Sequence, residues 1–322
     1  MREGLDKQGG ERDALTPDEA HWFAGKDLPV WIFKVNRRPA ETATLFDAPL
    51  GEVLTHLNEN LLAAPEVLSG RRHKREWRVG NIEHPEPGVL TGIIGWSRSG
   101  EQLANVWNDD SKSWVDEMTA NQVSATSPFA FSVDKRYIGI LKHPTFKPMV
   151  VAGVLQEMLN RAEARRDDAV AGIPNVLWGV DPVGDRSEFK AWIDRTDAVT
   201  SLEFVFMRPN PDAEDAFQHL FDRLDALESS KICERIVARN PETGINKQGL
   251  QQDATSGAFI TAAMAAFGYV VGKGFRNGRK VKFDQRQNMM TEEIEHVGST
   301  WESATLNVKD AVQRATGRAA DG

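Results

Sequence analysis

Apolar positions change their period several times along this chain, and each change predicts an element. Val30, Trp31, Ile32, Phe33 and Val35 form a dense run closed by Asn36-Arg37-Arg38-Pro39, which reads as a strand. Over residues 45–63 the spacing lengthens. Leu50, Val53, Leu54, Leu57, Leu61 and Leu62 recur at helical intervals, and Pro65 and Gly70 end the unit. Residues 71–120 read as a group of antiparallel strands. Trp77 and Val79 lie in one segment and residues 89–96 form the next, with Pro85, Pro87 and Gly88 between them. Val106-Trp107 and Trp114-Val115 then flank a polar turn at Asn108-Asp109-Asp110-Ser111.

The stretch 128–240 is the most regular. Residues 129–133 and 137–141 form a hairpin around Asp134-Lys135-Arg136. Residues 147–166 form a helix with Val150, Val151, Val154, Leu155, Met158 and Leu159 on its apolar face. Strands at 175–180, 199–207 and 232–237 alternate with helices at 187–195 and 212–227. An Ala-rich helix follows at 249–267, then a Gly-interrupted hairpin at 269–283 with Asn277-Gly278 at its tip, a pair suited to a type I′ turn. The expected fold is α+β, with mixed or antiparallel sheets and helices packed on one face. Four regions are expected: a disordered segment at 1–27, a strand-rich region at 28–124, an α+β body with the basic hairpin at 125–290, and a polar helical tail at 291–322. The 322 residues suit roughly two domains or one large one, and no solenoid repeat is evident.

Composition narrows the class. Hydrophobic residues at 40% suffice for a core, so general disorder is out. One cysteine, Cys233, leaves no disulfide framework and no cysteine-based zinc site; in its apolar strand it reads as a small buried hydrophobe. No run is long enough to span a bilayer, and the polar N-terminus does not resemble a signal peptide. A soluble cytoplasmic protein is expected.

Familiar catalytic patterns fail on spacing. Residues 268–274 (GYVVGKG) lack the P-loop spacing and the Ser or Thr after Lys273, and they lead into a hairpin. No Gly-x-Gly-x-x-Gly joins a strand to a helix. Residues 95–100 place glycine one position too late for a nucleophile elbow and read as a polar turn. Arg136 and His143 fall on a strand at a spacing that points them to opposite faces. The seven histidines include no HExxH or other helical zinc pair. Asp181, Asp185, Glu188 and Lys190 contain the letters of a metal nuclease, but Glu188 and Lys190 fall on a helix rather than on the next strand. No cofactor is implied.

The net charge of -8 is unevenly spread. Residues 272–286 hold Lys273, Arg276, Arg279, Lys280, Lys282 and Arg286 against Asp284. Residues 71–78 hold Arg71, Arg72, Lys74, Arg75 and Arg78 against Glu76. Without these two clusters the remainder stands at -17. Such segregation suits a protein that holds a polyanion on one face and repels it elsewhere. With no recognition helix or RNA-binding signature, binding should be led by the phosphate backbone and only weakly sequence-specific.

Three segments resemble the RexA component of temperate-phage exclusion systems. They are residues 127–140 running into Phe146 and the helix with Leu155, the strand at 202–207 with its Arg208-Pro209 stop, and the basic 278–281 stretch followed by 291–318. The resemblance implies an RdgC-like fold and a non-enzymatic DNA-binding protein of phage or prophage origin, and together with the basic clusters it leads to the expectation of weakly sequence-specific binding to double-stranded DNA. It also implies a homodimer that acts in superinfection exclusion with a membrane-channel partner. The Ala-rich helix at 258–267 is a candidate surface for self-association. Two alternatives remain: a metal-dependent nuclease, and a protein-interaction module using exposed Trp residues or the C-terminal tail.

Overall fold

The computed structural model describes residues 21–39, 50–70, 74–108, 113–165, 176–207 and 217–320. It is an α+β protein with two antiparallel sheets and seven helices among these residues. The larger sheet has β2 (Val67–Ser69), β3 (Arg75–Glu86), β4 (Val89–Asn108), β5 (Ser113–Ser132), β6 (Tyr137–Leu141), β1 (Leu28–Pro39) and β12 (Thr291–Ile294) in spatial order. β7 (Val176–Pro182) pairs with β1 at 33–39, and β12 pairs with it at 28–31.

β1 explains the apolar run that marked it. Trp31, Phe33 and Val35 enter one core, with α1 (Leu50–Leu62) and α2 (Pro148–Glu163). Val30 and Ile32 enter the core on the other face, with α7 (Trp301–Ala320). Alternate side chains of a strand point to opposite faces, so a strand buried on both faces is apolar throughout.

α7 carries the main structural surprise. The expected tail at 291–322 begins with β12, and only from Trp301 is it helical. Ala304, Val308, Ala311, Val312 and Ala315 recur at helical spacing and are buried. These small residues let the helix lie close to the sheet. A Cβ on Gly139 of β6 would sit 2.3 Å from a methyl of Val312. Arg314 and Arg318 of α7 also pair with the buried Glu292 of β12. The region therefore belongs to the body of the larger sheet. A hydrophobic count missed it because alanine signals burial weakly.

The expected disordered segment 1–27 lies outside the described residues as far as residue 20. Residues 21–27 form a turn instead. Phe23 is buried with its ring 4.9 Å from that of Trp301, and Trp22 Nε1 donates to the Thr126 carbonyl. Residues 95–100 run inside β4 and form no turn.

The smaller sheet has the order β11 (Arg279–Asp284), β10 (Gly268–Arg276), β8 (Ala198–Met207), β9 (Lys231–Val237). Its inner face packs Leu202, Phe204, Phe206, Val270 and Phe283 against α3 (Arg186–Arg195), α4 (Gln218–Ala226), α5 (Lys247–Gln252) and α6 (Ala254–Met264). The single helix expected at 249–267 is two, because Asp253 accepts from Ser256 N and starts a new helix. Phe259, Ala262 and Ala263 of α6 are buried, so that face serves the protein's own core. Cys233 is exposed and alternates away from Ile232, which corrects its expected burial. Asn36 joins the sheets by donating to Asp181 Oδ2 and to the Ala266 carbonyl. No helix among the described residues is long and apolar enough to cross a membrane.

Candidate nucleic-acid interface

Strand alternation divides the basic hairpin. On β10 the even positions face the helices. Gly272 is required there, because a Cβ would meet the Trp192 ring at 2.4 Å. The odd positions Tyr269, Val271, Lys273 and Phe275 face away. Register places Lys280, Lys282 and Asp284 of β11 beside Phe275, Lys273 and Val271 on that outward face. Glu203 of β8 and Arg235 of β9 extend the row from Val271. Asn277 and Gly278 close the hairpin with φ of 49° and 72°, the left-handed pair a type I′ turn needs.

Two pairs of cations sit directly across the hairpin, Lys273 opposite Lys282 and Arg276 opposite Arg279. Like charges in such pairs destabilise a hairpin by a few tenths of a kcal/mol, up to about 1 kcal/mol. Among the described residues, neither Lys273 nor Lys280 meets a carboxylate. The six predicted contacts do not form one surface. Lys273, Lys280 and Lys282 share the outward face. Arg276 and Arg279 lie at the tip on the helix-facing side, with Arg276 Nε buried and unpartnered.

Arg286 follows β11 and is fixed in place. Its Nε donates to Asp284 Oδ1 and its Nη2 to Asp284 Oδ2, both at 2.9 Å. Its guanidinium lies 4.2 Å from the centre of the Tyr269 ring. Lys282 Nζ reaches the same carboxylate at 3.1 Å. Burial alone would push the Asp284 carboxyl up. Hydrogen bonds and charge from Arg286 and Lys282 outweigh it and hold the carboxyl below its ordinary range.

A depressed carboxyl adds stability above its ordinary value near pH 4, and that contribution fades as pH falls through the folded value. The difference in Tm between wild type and Asp284→Asn should therefore be constant above about pH 5.5 and shrink on acidification below about pH 4. Thermal melts across that range check this; a gap that stays constant to pH 2 contradicts it.

Of the second basic cluster, Arg75 and Arg78 lie on β3 of the larger sheet and Lys74 just before it. Arg71 and Arg72 lie outside the described residues. Lys74 is exposed. Arg75 stacks over the Trp96 ring at 4.1 Å, and Arg78 pairs with both Glu66 and Glu76. Arg75 and Arg78 and the hairpin occupy different sheets. Arg75 and Arg78 have partners within the protein.

The nuclease letters serve local structure. Asp185 caps α3 by accepting from Ser187 N and Glu188 N, Asp181 accepts from Asn36, and Glu188 is exposed. Among the described residues, no three His, Cys, Asp or Glu side chains group as metal ligands. Trp31, Trp77, Trp96, Trp178 and Trp192 are buried and give no docking surface, Trp22 and Trp301 are half-buried, and the side chains of Trp107 and Trp114 lie outside the described residues. Tyr269, Phe275 and Arg235 were not among the candidate site residues expected from the sequence. The β10 alternation could have shown the first two, whereas Arg235 needed the β8–β9 pairing.

These features define an antiparallel α+β protein whose smaller sheet is covered by helices on one face and bears cations on the other. Residues 82–312 match the family described as Domain of unknown function (DUF4747), and the chain belongs to that family. The match runs from within β3 to within α7, so it includes the whole smaller sheet. No curated protein matches the chain.

Proposed function

We propose that the protein binds DNA without chemical turnover, by its phosphate backbone and with weak sequence preference, through the outward face of the smaller sheet. The observation that carries this reading is the opposed Lys273–Lys282 pair beside Lys280. It concentrates positive charge on a rigid strand pair in a chain of net charge -8. A polyanion relieves that repulsion and releases its own condensed counterions. Action as a homodimer in superinfection exclusion, with a membrane-channel partner, rests on the RexA-like element order.

A gel-shift series tests the binding. Complexes with labelled DNA should form at about 20 mM salt and dissociate steeply as salt rises toward about 300 mM. Absence of a complex at low salt, or salt-independent binding, overturns the proposal.

A further inference from the structure

The outward face carries aromatic rings as well as charge, and phosphate contact alone gives them no role. Tyr269 and Phe275 are both partly exposed on β10, about 20 Å apart along the strand. Lys273 lies between them, and Lys280 is the cross-strand neighbour of Phe275. Arg286 lies over Tyr269 with its plane fixed by two hydrogen bonds to Asp284. A guanidinium held in this way is itself a stacking surface.

The shape of the face disfavours insertion into a duplex. β10 is paired on both edges, so it cannot enter a groove as a two-stranded ribbon. Four strands at about 4.8 Å spacing measure about 14 Å between outer axes, wider than the major groove of about 12 Å. A duplex laid on this face would offer the rings only sugars and phosphates. An unpaired strand offers phosphates to the lysines and base faces to the rings.

We infer that the ligand of this face is an unpaired nucleic-acid strand, with bases stacked on Phe275 and on the Tyr269–Arg286 platform while Lys273, Lys280 and Lys282 hold its phosphates. This rests on the proposed backbone binding and replaces the duplex expected from the sequence with an unpaired strand.

Fluorescence anisotropy with four labelled probes of equal length tests it on the wild-type protein: oligo-dT, oligo-U, an abasic strand with the same phosphates, and a duplex. Oligo-dT should bind at least about tenfold more tightly than the abasic strand and than the duplex. Equal affinity for oligo-dT and the abasic strand overturns stacking but leaves backbone binding standing. No binding to any probe overturns both. A preference for oligo-U over oligo-dT identifies RNA as the source, and the reverse identifies single-stranded DNA; either supports the inference once the abasic strand is weaker. Phe275→Ala should weaken oligo-dT binding by about tenfold and leave the abasic strand unchanged. Phe275→Tyr should restore it. Equal losses on both probes overturn the role of the ring.

Discussion

A chain carrying Lys273→Ala, Lys280→Ala and Lys282→Ala is expected to bind DNA about 10²- to 10³-fold more weakly than wild type at about 50 mM salt. The logarithmic salt dependence should flatten by about 2–3 units, since each phosphate contact adds about 0.7–0.9. The effect should be similar for unrelated sequences, because phosphate contacts carry no sequence information. The fold should tolerate the change. The substitutions remove the opposed Lys273–Lys282 pair, and Asp284 keeps its two bonds from Arg286. Titrations at several salt concentrations check this, with thermal melts to confirm folding. A folded variant with wild-type slope would remove these lysines from the interface.

Val308→Asp is expected to cost about 3–5 kcal/mol of stability, a large share of the roughly 5–15 kcal/mol of a typical domain. Val308 is fully buried in the core that α7 shares with Val30, Ile32 and Leu141. A carboxylate placed there has no cation within that apolar cluster and must either lose its charge or open the packing. Leu306→Asp on the same helix is the control. Leu306 is 38% exposed, so its replacement should shift stability by no more than about 0.5 kcal/mol. Urea titrations of the two variants separate the outcomes. Equal midpoints would mean that α7 is a detachable tail.

Much of the element order was legible because period and turn chemistry are local. The hairpin at Asn277-Gly278 was readable from two residues, and the run from Val30 to Val35 from five. What escaped depends on distant partners. β12 became a strand only because its backbone pairs with β1, over 250 residues earlier in the chain. α7 read as polar because its buried stripe is largely alanine. The basic clusters were visible as charge counts, but a count does not separate faces. Alternation divides Lys273, Lys280 and Lys282 from Arg276 and Arg279, while the distant Glu66 joins Glu76 on Arg78. Tyr269 and Phe275 became candidate site residues once β10 was seen, among the described residues, to carry helices on one side only.

Lysine footprinting reads, residue by residue, whether DNA lies on the outward face of the smaller sheet. The protein is briefly treated with an amine-reactive reagent, with and without saturating oligonucleotide, and modification is quantified residue by residue by mass spectrometry. Bound DNA should slow modification of Lys273, Lys280 and Lys282 by at least about fivefold while leaving Lys74, just before β3 of the larger sheet, within about twofold of its free rate. Protection of Lys74 with no change at the three hairpin lysines would place the DNA away from that face.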